Sequence, residues 1–171
     1  MVVTNEVAGR LRGGEPWLIG GGDAVLMAVV TRPGLDPMQE ALLWLPASLA
    51  AMESIAEASS IECRLRWPDR LVDAATAAAW GATNVITQRG PGRIEHSIFS
   101  LRIDKRSLRE RHVAWPGDEG VVERFVHHTQ RFLELLRTDA AAVLDAYADR
   151  CDLLGERVRA ELLPRGEARG R

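Results

Sequence analysis

Two stretches of this chain bring together side chains that could handle an anion. The first is Ala8-Gly9-Arg10-Leu11-Arg12-Gly13-Gly14-Glu15-Pro16-Trp17, in which two arginines sit among glycines and a tryptophan follows. Guanidinium groups present forked donors that match phosphate and carboxylate oxygens, and glycines let a backbone approach a ligand closely. Trp17 adds a flat apolar face. The same residues would serve equally as solvated arginines of a surface loop, with Trp17 in the core. The second stretch is Cys63-Arg64-Leu65-Arg66-Trp67-Pro68-Asp69-Arg70-Leu71, which sets cations, an indole and a carboxylate side by side. Other candidates reduce to structure. His127 and His128 are consecutive on a helical pattern, so their rings leave on different faces and make no metal pair; a surface and a boundary position are expected. Cys63 and Cys151 have no metal-finger spacing, cannot build a disulfide framework, and are expected to be small core residues. Asp118 and Glu119 read as negative charge at a helix N-terminus. No nucleophile with a neighbouring base can be assembled from spacing.

The elements that must position these residues follow from periodicity. Val2 to Val7 can form a short strand, and Ala24 to Val30 is a continuous apolar run that predicts a buried strand. Asp36-Pro37 has the form of an N-cap with proline in the first helical position, opening a helix to about Ala58 that Pro46 should kink or split. Ile61 to Trp67 alternates as a half-exposed strand stopped by Pro68. The alanine-rich segment 73–81 is ambiguous between a helical turn and the start of a strand. Ala82 to Gln88, the turn Arg89-Gly90-Pro91-Gly92 and Arg93 to Ile103 predict a hairpin. A polar loop follows, then an amphipathic helix over Glu119 to Leu136 and a second, capped at Thr138-Asp139, to about Cys151. The order predicts an α+β domain, a mixed β-sheet packed with helices, over residues 1–163, with 164–171 as a disordered tail.

Composition sets outer bounds. The 171 residues are 46% hydrophobic and 27% charged with a net charge of −2, which fits one folded domain and lacks the basic excess of a nucleic-acid binder. No signal peptide or apolar run of membrane-spanning length is present, so neither nucleic acid nor membrane is an expected partner, and a cytoplasmic location is expected. Of the 22 basic residues, 21 are arginine and one, Lys105, is lysine.

Three stretches, in order, resemble the catalytic domain of biotin protein ligases, a fold shared with lipoate ligases and of the class II aminoacyl-tRNA synthetase type. The loop at 8–17 is similar to that family's Gly-Arg-Gly-Arg-x-Gly-Arg-x-Trp loop. Arg66-Trp67-Pro68-Asp69-Arg70-Leu71 is similar to its Lys-Trp-Pro-Asn-Asp-Leu. The helices holding Arg131 to Leu136 and Val143 to Tyr147, with Leu154 to Val158 after them, match its closing pair. The resemblance implies ATP and biotin or lipoate as ligands, with Gly9, Arg10, Arg12, Trp17, Arg66, Trp67 and Asp69 as ligand-binding residues. In that setting the arginines would face the α-phosphate and Trp17 the adenine.

The departures point away from catalysis. Glu15 stands where the family's loop has a third arginine, Leu11 replaces a glycine, and Arg66 replaces the lysine before Trp-Pro. The family's Lys-x-x-Gly, whose lysine contacts the reacting carboxylate and phosphate, reads Ala78-Ala79-Trp80-Gly81. The glycine-rich strand that follows is Ile98-Phe99-Ser100-Leu101-Arg102-Ile103, whose bulk, Phe99 and Leu101 above all, is expected to fill the acyl pocket. A further strand and helix that open the family's domain precede the point where this sequence begins, which should leave a sheet edge uncovered. The expectation is an inactive, ligase-like binding or assembly module, as a homodimer or in complex with a ligase or a biotinyl or lipoyl carrier domain. The alternatives are a working ligase or acyltransferase, which would need Lys105 to reach the pocket, and a small-molecule sensor that keeps the pocket without the reaction.

Overall fold

The computed structural model describes residues 2–3, 9–10, 16–17, 24–59, 61–110, 115, 117–161 and 167–170, with side chains described over 24–59, 61–110, 115 and 117–158. The elements in order are β1 (Val2–Val3), β2 (Gly9–Arg10), β3 (Pro16–Trp17), β4 (Ala24–Thr31), a 3-10 helix (Pro37–Leu43) and α1 (Trp44–Ala58). They continue with β5 (Cys63–Arg66), β6 (Arg70–Asp73), β7 (Ala79–Gly90), β8 (Arg93–Asp104) and α2 (Lys105–Glu110). The chain closes with α3 (Asp118–Thr138), α4 (Ala140–Ala148), β9 (Val158–Glu161) and β10 (Glu167–Gly170). A six-stranded sheet, in the order β1-β4-β8-β7-β6-β5, carries the fold. Its ladders are antiparallel, and one isolated parallel bridge joins Leu65 to Cys151. This is the α+β architecture expected, a sheet covered by helices.

Local chemistry explains the boundaries. The Asp36 carboxylate accepts from Met38 N–H at 2.8 Å, and Gln39 Oε1 accepts from Asp36 N–H at 3.3 Å, a reciprocal cap with Pro37 directly inside it. The helix does split as expected: its first part is 3-10, and Pro46 falls in the first turn of α1, where a missing N–H breaks no bond. The Asp139 side chain caps α4 through Ala142 N–H at 3.0 Å. Pro91-Gly92 closes the β7–β8 hairpin, with Gly92 at φ 72.

Phe99, Leu101 and Ile103 of β8 share one core with Leu49 and Ile55 of α1 and Val121, Phe125 and Phe132 of α3. Each of these eight side chains is at most 2% exposed. The sheet therefore has one face under α1 and α3 and a second face directed away from them.

Several details depart from expectation. Strand β4 is buried on one face only: Val25 and Met27 are in the core, whereas Val30 is 66% exposed. An antiparallel strand with helices on one side needs apolar residues only at every second position. Strand β6 forms over residues to which the sequence assigns no element, and helix α2 over a segment expected to be polar loop. His128 is fully buried instead of at a boundary, while His127 is on the surface as expected. Glu167–Gly170, inside the tail expected to be disordered, pairs antiparallel with Val158–Glu161. Residues 4–7 of the expected first strand lie outside the described residues. No helix among the described residues is long and apolar enough to cross a membrane.

Candidate functional site

The strand register lays out the second face of the sheet in rows. Leu26 of β4 stands opposite Arg102 of β8, Arg102 opposite Ala82 of β7, Ala82 opposite Arg70 of β6, and Arg70 opposite Arg66 of β5. Their neighbours Leu65, Leu71 and Leu101 point into the core, so these side chains leave on the opposite face. The next row is Ala28, Ser100 and Asn84, and the one after is Val30, Ile98 and Ile86. The face thus grades from cationic at Arg66, Arg70 and Arg102, through polar, to apolar. Such an arrangement accepts an anionic group at one end and a hydrocarbon body at the other.

The predicted site residues divide into two groups. Arg66, Trp67 and Asp69 gather at the tight turn between β5 and β6. Arg66 is held there: Nε and Nη2 both donate to Asp152 Oδ2, at 2.9 and 2.5 Å, and Nη1 donates to the Ala77 carbonyl at 3.2 Å. Two donors on one carboxylate pin β5 to the segment after α4 and engage a cation assigned by resemblance to a ligand. Trp67, 51% exposed, meets the edge of Tyr147 at 6.4 Å between ring centroids and 87° between planes. Tyr147 itself is buried, which raises its phenol above the ordinary range. Asp69 is 3% exposed; its Oδ1 lies 3.3 Å from Arg70 Nε, and its carbonyl accepts from Thr83 N–H at 2.8 Å, so it braces the turn against β7. In the second group, Gly9 pairs with Trp17 and Arg10 with Pro16 in a short β2–β3 ladder. The side chains of Arg10 and Trp17, and all of Arg12, lie outside the described residues.

Ala78, where the resemblance calls for lysine, is exposed at the entrance to β7, in a turn organised by Asp73. The Asp73 carboxylate accepts from Thr76 N–H at 2.7 Å and from Thr76 Oγ1 at 2.8 Å, and the neighbouring Ala77 sits at φ 60. The single lysine of the chain, Lys105, is directed elsewhere: its Nζ is 4.0 Å from Asp118 Oδ1 at the start of α3. Asp118 also accepts from Trp115 Nε1 at 2.6 Å. Phe99 and Leu101 do not fill the ligand face. Both are 0% exposed in the core, and the residues β8 presents to the second face are Ile98, Ser100 and Arg102. Ser100 and Arg102 are the contributors that sequence reasoning missed. The alternation of β8 was the signal that could have separated them from Phe99 and Leu101.

Polar residues elsewhere serve the scaffold. Glu53 Oε2 and Oε1 meet Arg131 at 2.9 Å and Arg150 at 3.1 Å, and Glu57 Oε2 lies 3.0 Å from His128 Nε2. Glu53, Glu57 and His128 bring three potential metal-ligating atoms within 4.8 Å of one another. The guanidiniums already on Glu53, with Arg124 3.9 Å from Glu57, make this an ion-pair network joining α1 to α3 and the end of α4. The histidine contact holds the Glu57 carboxyl below its ordinary range. Burial pushes the Cys63 thiol up to about 12, consistent with a core position and with no role as a nucleophile near neutral pH.

Comparison with solved structures decides the fold family. Biotin protein ligase from Aquifex aeolicus in complex with biotin and ATP aligns over 99% of this chain and 75% of its own, with a TM-score of 0.74 and 19% identity. The fold is that of the biotin protein ligases. A biotin protein ligase-like protein of unknown function from Silicibacter sp. TM1040 aligns over 85% of this chain and 69% of its own, with a TM-score of 0.67 and 12% identity. No family model and no curated protein matches the sequence. At these identities the biotin-ligase-like fold is shared and the chemistry must be argued from the residues.

Proposed function

We propose that residues 1–163 form a biotin-ligase-like binding or assembly module, working in the cytoplasm, that holds a ligand or a partner without forming an acyl-adenylate. The observation that carries this reading is at the entrance to β7. Adenylation develops negative charge between a carboxylate and the α-phosphate, and a preorganised cation there lowers the barrier. The position that supplies it in the resembling family is Ala78, and Lys105 is committed to the start of α3. Genome-wide preference for arginine would replace a lysine by arginine, not by alanine.

The second face of the sheet supports retained binding. Arg70 and Arg102 lie in its cationic row and Val30, Ile98 and Ile86 in its apolar row, which suits a carboxylic acid with an apolar body of the biotin or lipoate kind. That face favours the sensor-like form of the proposal over a pure scaffold. Calorimetry with a non-hydrolysable biotinyl-adenylate tests it: saturable heat that weakens in Arg102→Ala is expected, and absence of binding would leave only the scaffold form. Self-association is proposed at β4. Pairing with β1 covers Leu26 and Met27, and beyond them Val29 to Thr31 border a groove of about 470 Å³ against Val126, Gln130 and Leu133 of α3. Arg32, Glu134 and Arg137 on its rim give the groove charges of both signs, as a self-complementary interface requires.

A further inference from the structure

A cavity of about 370 Å³ lies beyond the apolar row, lined by Arg32, Gly34, Arg93, Ile94, Glu95 and His96. It is built by an irregularity in the β7–β8 ladder. Gln88 stands opposite His96 and Arg89 opposite Ile94, so Glu95 is an extra residue on β8. Ile94 returns to the core at 0% exposure, with its N–H donating to the Leu35 carbonyl at 2.8 Å. The bulge therefore leaves His96 on the second face, where Arg32 Nε donates to its Nε2 at 3.2 Å.

The terminal nitrogens of Arg32 and the whole Arg93 guanidinium make no hydrogen bond or ion pair among the described residues. The one acid in the lining, Glu95, lies across Gly90, where a Cβ would collide with its carboxyl. Two guanidiniums against one carboxylate leave the cavity with an excess positive charge and with forked donors that match the oxygens of an anion.

We propose that this pocket binds a small oxyanion, a carboxylate or phosphate group, between Arg32 and Arg93. It is separate from the cationic row proposed above. Arg102 and His96 are six residues apart on β8, roughly 20 Å at about 3.3 Å per residue. The inference therefore stands or falls independently of that reading.

The test is a titration of the full chain with sodium phosphate and, separately, with sodium acetate, at constant ionic strength held with chloride. Amide NMR shifts of residues 32–34 and 93–96 report binding. Saturable shifts of these residues are expected. Arg93→Ala removes an exposed side chain that braces nothing and should weaken binding about tenfold, the value of one charge-assisted hydrogen bond. Arg32→Gln should do the same, while Arg157→Ala, an exposed arginine outside the pocket and the cationic row, should leave the affinity unchanged. Saturation by phosphate alone assigns a phosphate group, and saturation by acetate alone a carboxylate. Shifts that rise without saturating with both anions, or an affinity unchanged in both Arg93→Ala and Arg32→Gln, would overturn the proposal.

Discussion

Adjacent residues of β8 should respond oppositely to truncation, because the sheet puts them on opposite faces. Phe99 is 0% exposed and shares the core with Leu49, Ile55 and Phe125. Phe99→Ala deletes a ring from a site walled by two helices that cannot fully collapse, so a loss of about 3–5 kcal/mol is expected. For a chain of this size that corresponds to a melting temperature lower by roughly 6–20 °C. Ser100, one residue on, faces away from α1 and α3, and Ser100→Ala should change stability by less than about 1 kcal/mol. Guanidinium unfolding followed by tryptophan fluorescence measures both, since Trp80 is fully buried and reports loss of the core. The midpoint should move in Phe99→Ala with the slope against denaturant unchanged. A cost below about 1 kcal/mol for Phe99→Ala, with a larger one for Ser100→Ala, would refute the register. It would mean that β8 turns Phe99 toward the second face, since a one-residue slip exchanges the faces of a strand.

Two further expectations concern Glu40 and the edge of β4. Glu40 accepts hydrogen bonds from Thr87 Oγ1 and Arg89 Nε, which hold its carboxyl below the ordinary value of 4.5. A carboxyl whose pKa is depressed by folding stabilises the native state fully above its unfolded pKa, and that contribution is lost as pH falls through the folded value. Stability measured by urea unfolding should therefore drop below about pH 4.5, and Glu40→Gln should show a shallower drop; an identical acid limb would remove Glu40 from the account. The proposed edge association predicts a concentration-dependent dimer in sedimentation equilibrium that Val30→Lys converts to monomer, whereas a dimer indifferent to Val30→Lys would place the interface elsewhere.

Much of this fold was legible where local chemistry decides the outcome. Asp36-Pro37 announces its cap, the apolar spacing from Val122 to Leu136 announces α3, and Pro91-Gly92 announces the hairpin. Strand β6 was not legible, because Arg70-Leu71-Val72-Asp73 is too short to show a period and is made a strand by partners on both sides. Helix α2 has a single buried apolar residue, Leu108, and so no periodic stripe to read. Long-range partners limit the reading of the site in the same manner. Arg66 has the charge and spacing of a phosphate ligand, and its fate is set by Asp152, 86 positions away. Phe99 and Leu101 have the bulk to fill a pocket, but bulk carries no information about which face receives it.

The central claim is that this domain keeps a ligand face and lacks adenylation. Incubating the purified chain with ATP and biotin, or ATP and lipoate, and measuring pyrophosphate release tests it most directly. No release above the rate without protein is predicted for either acid. Turnover that depends on one of the acids and falls in Arg12→Ala would contradict the account and establish the chain as a working ligase.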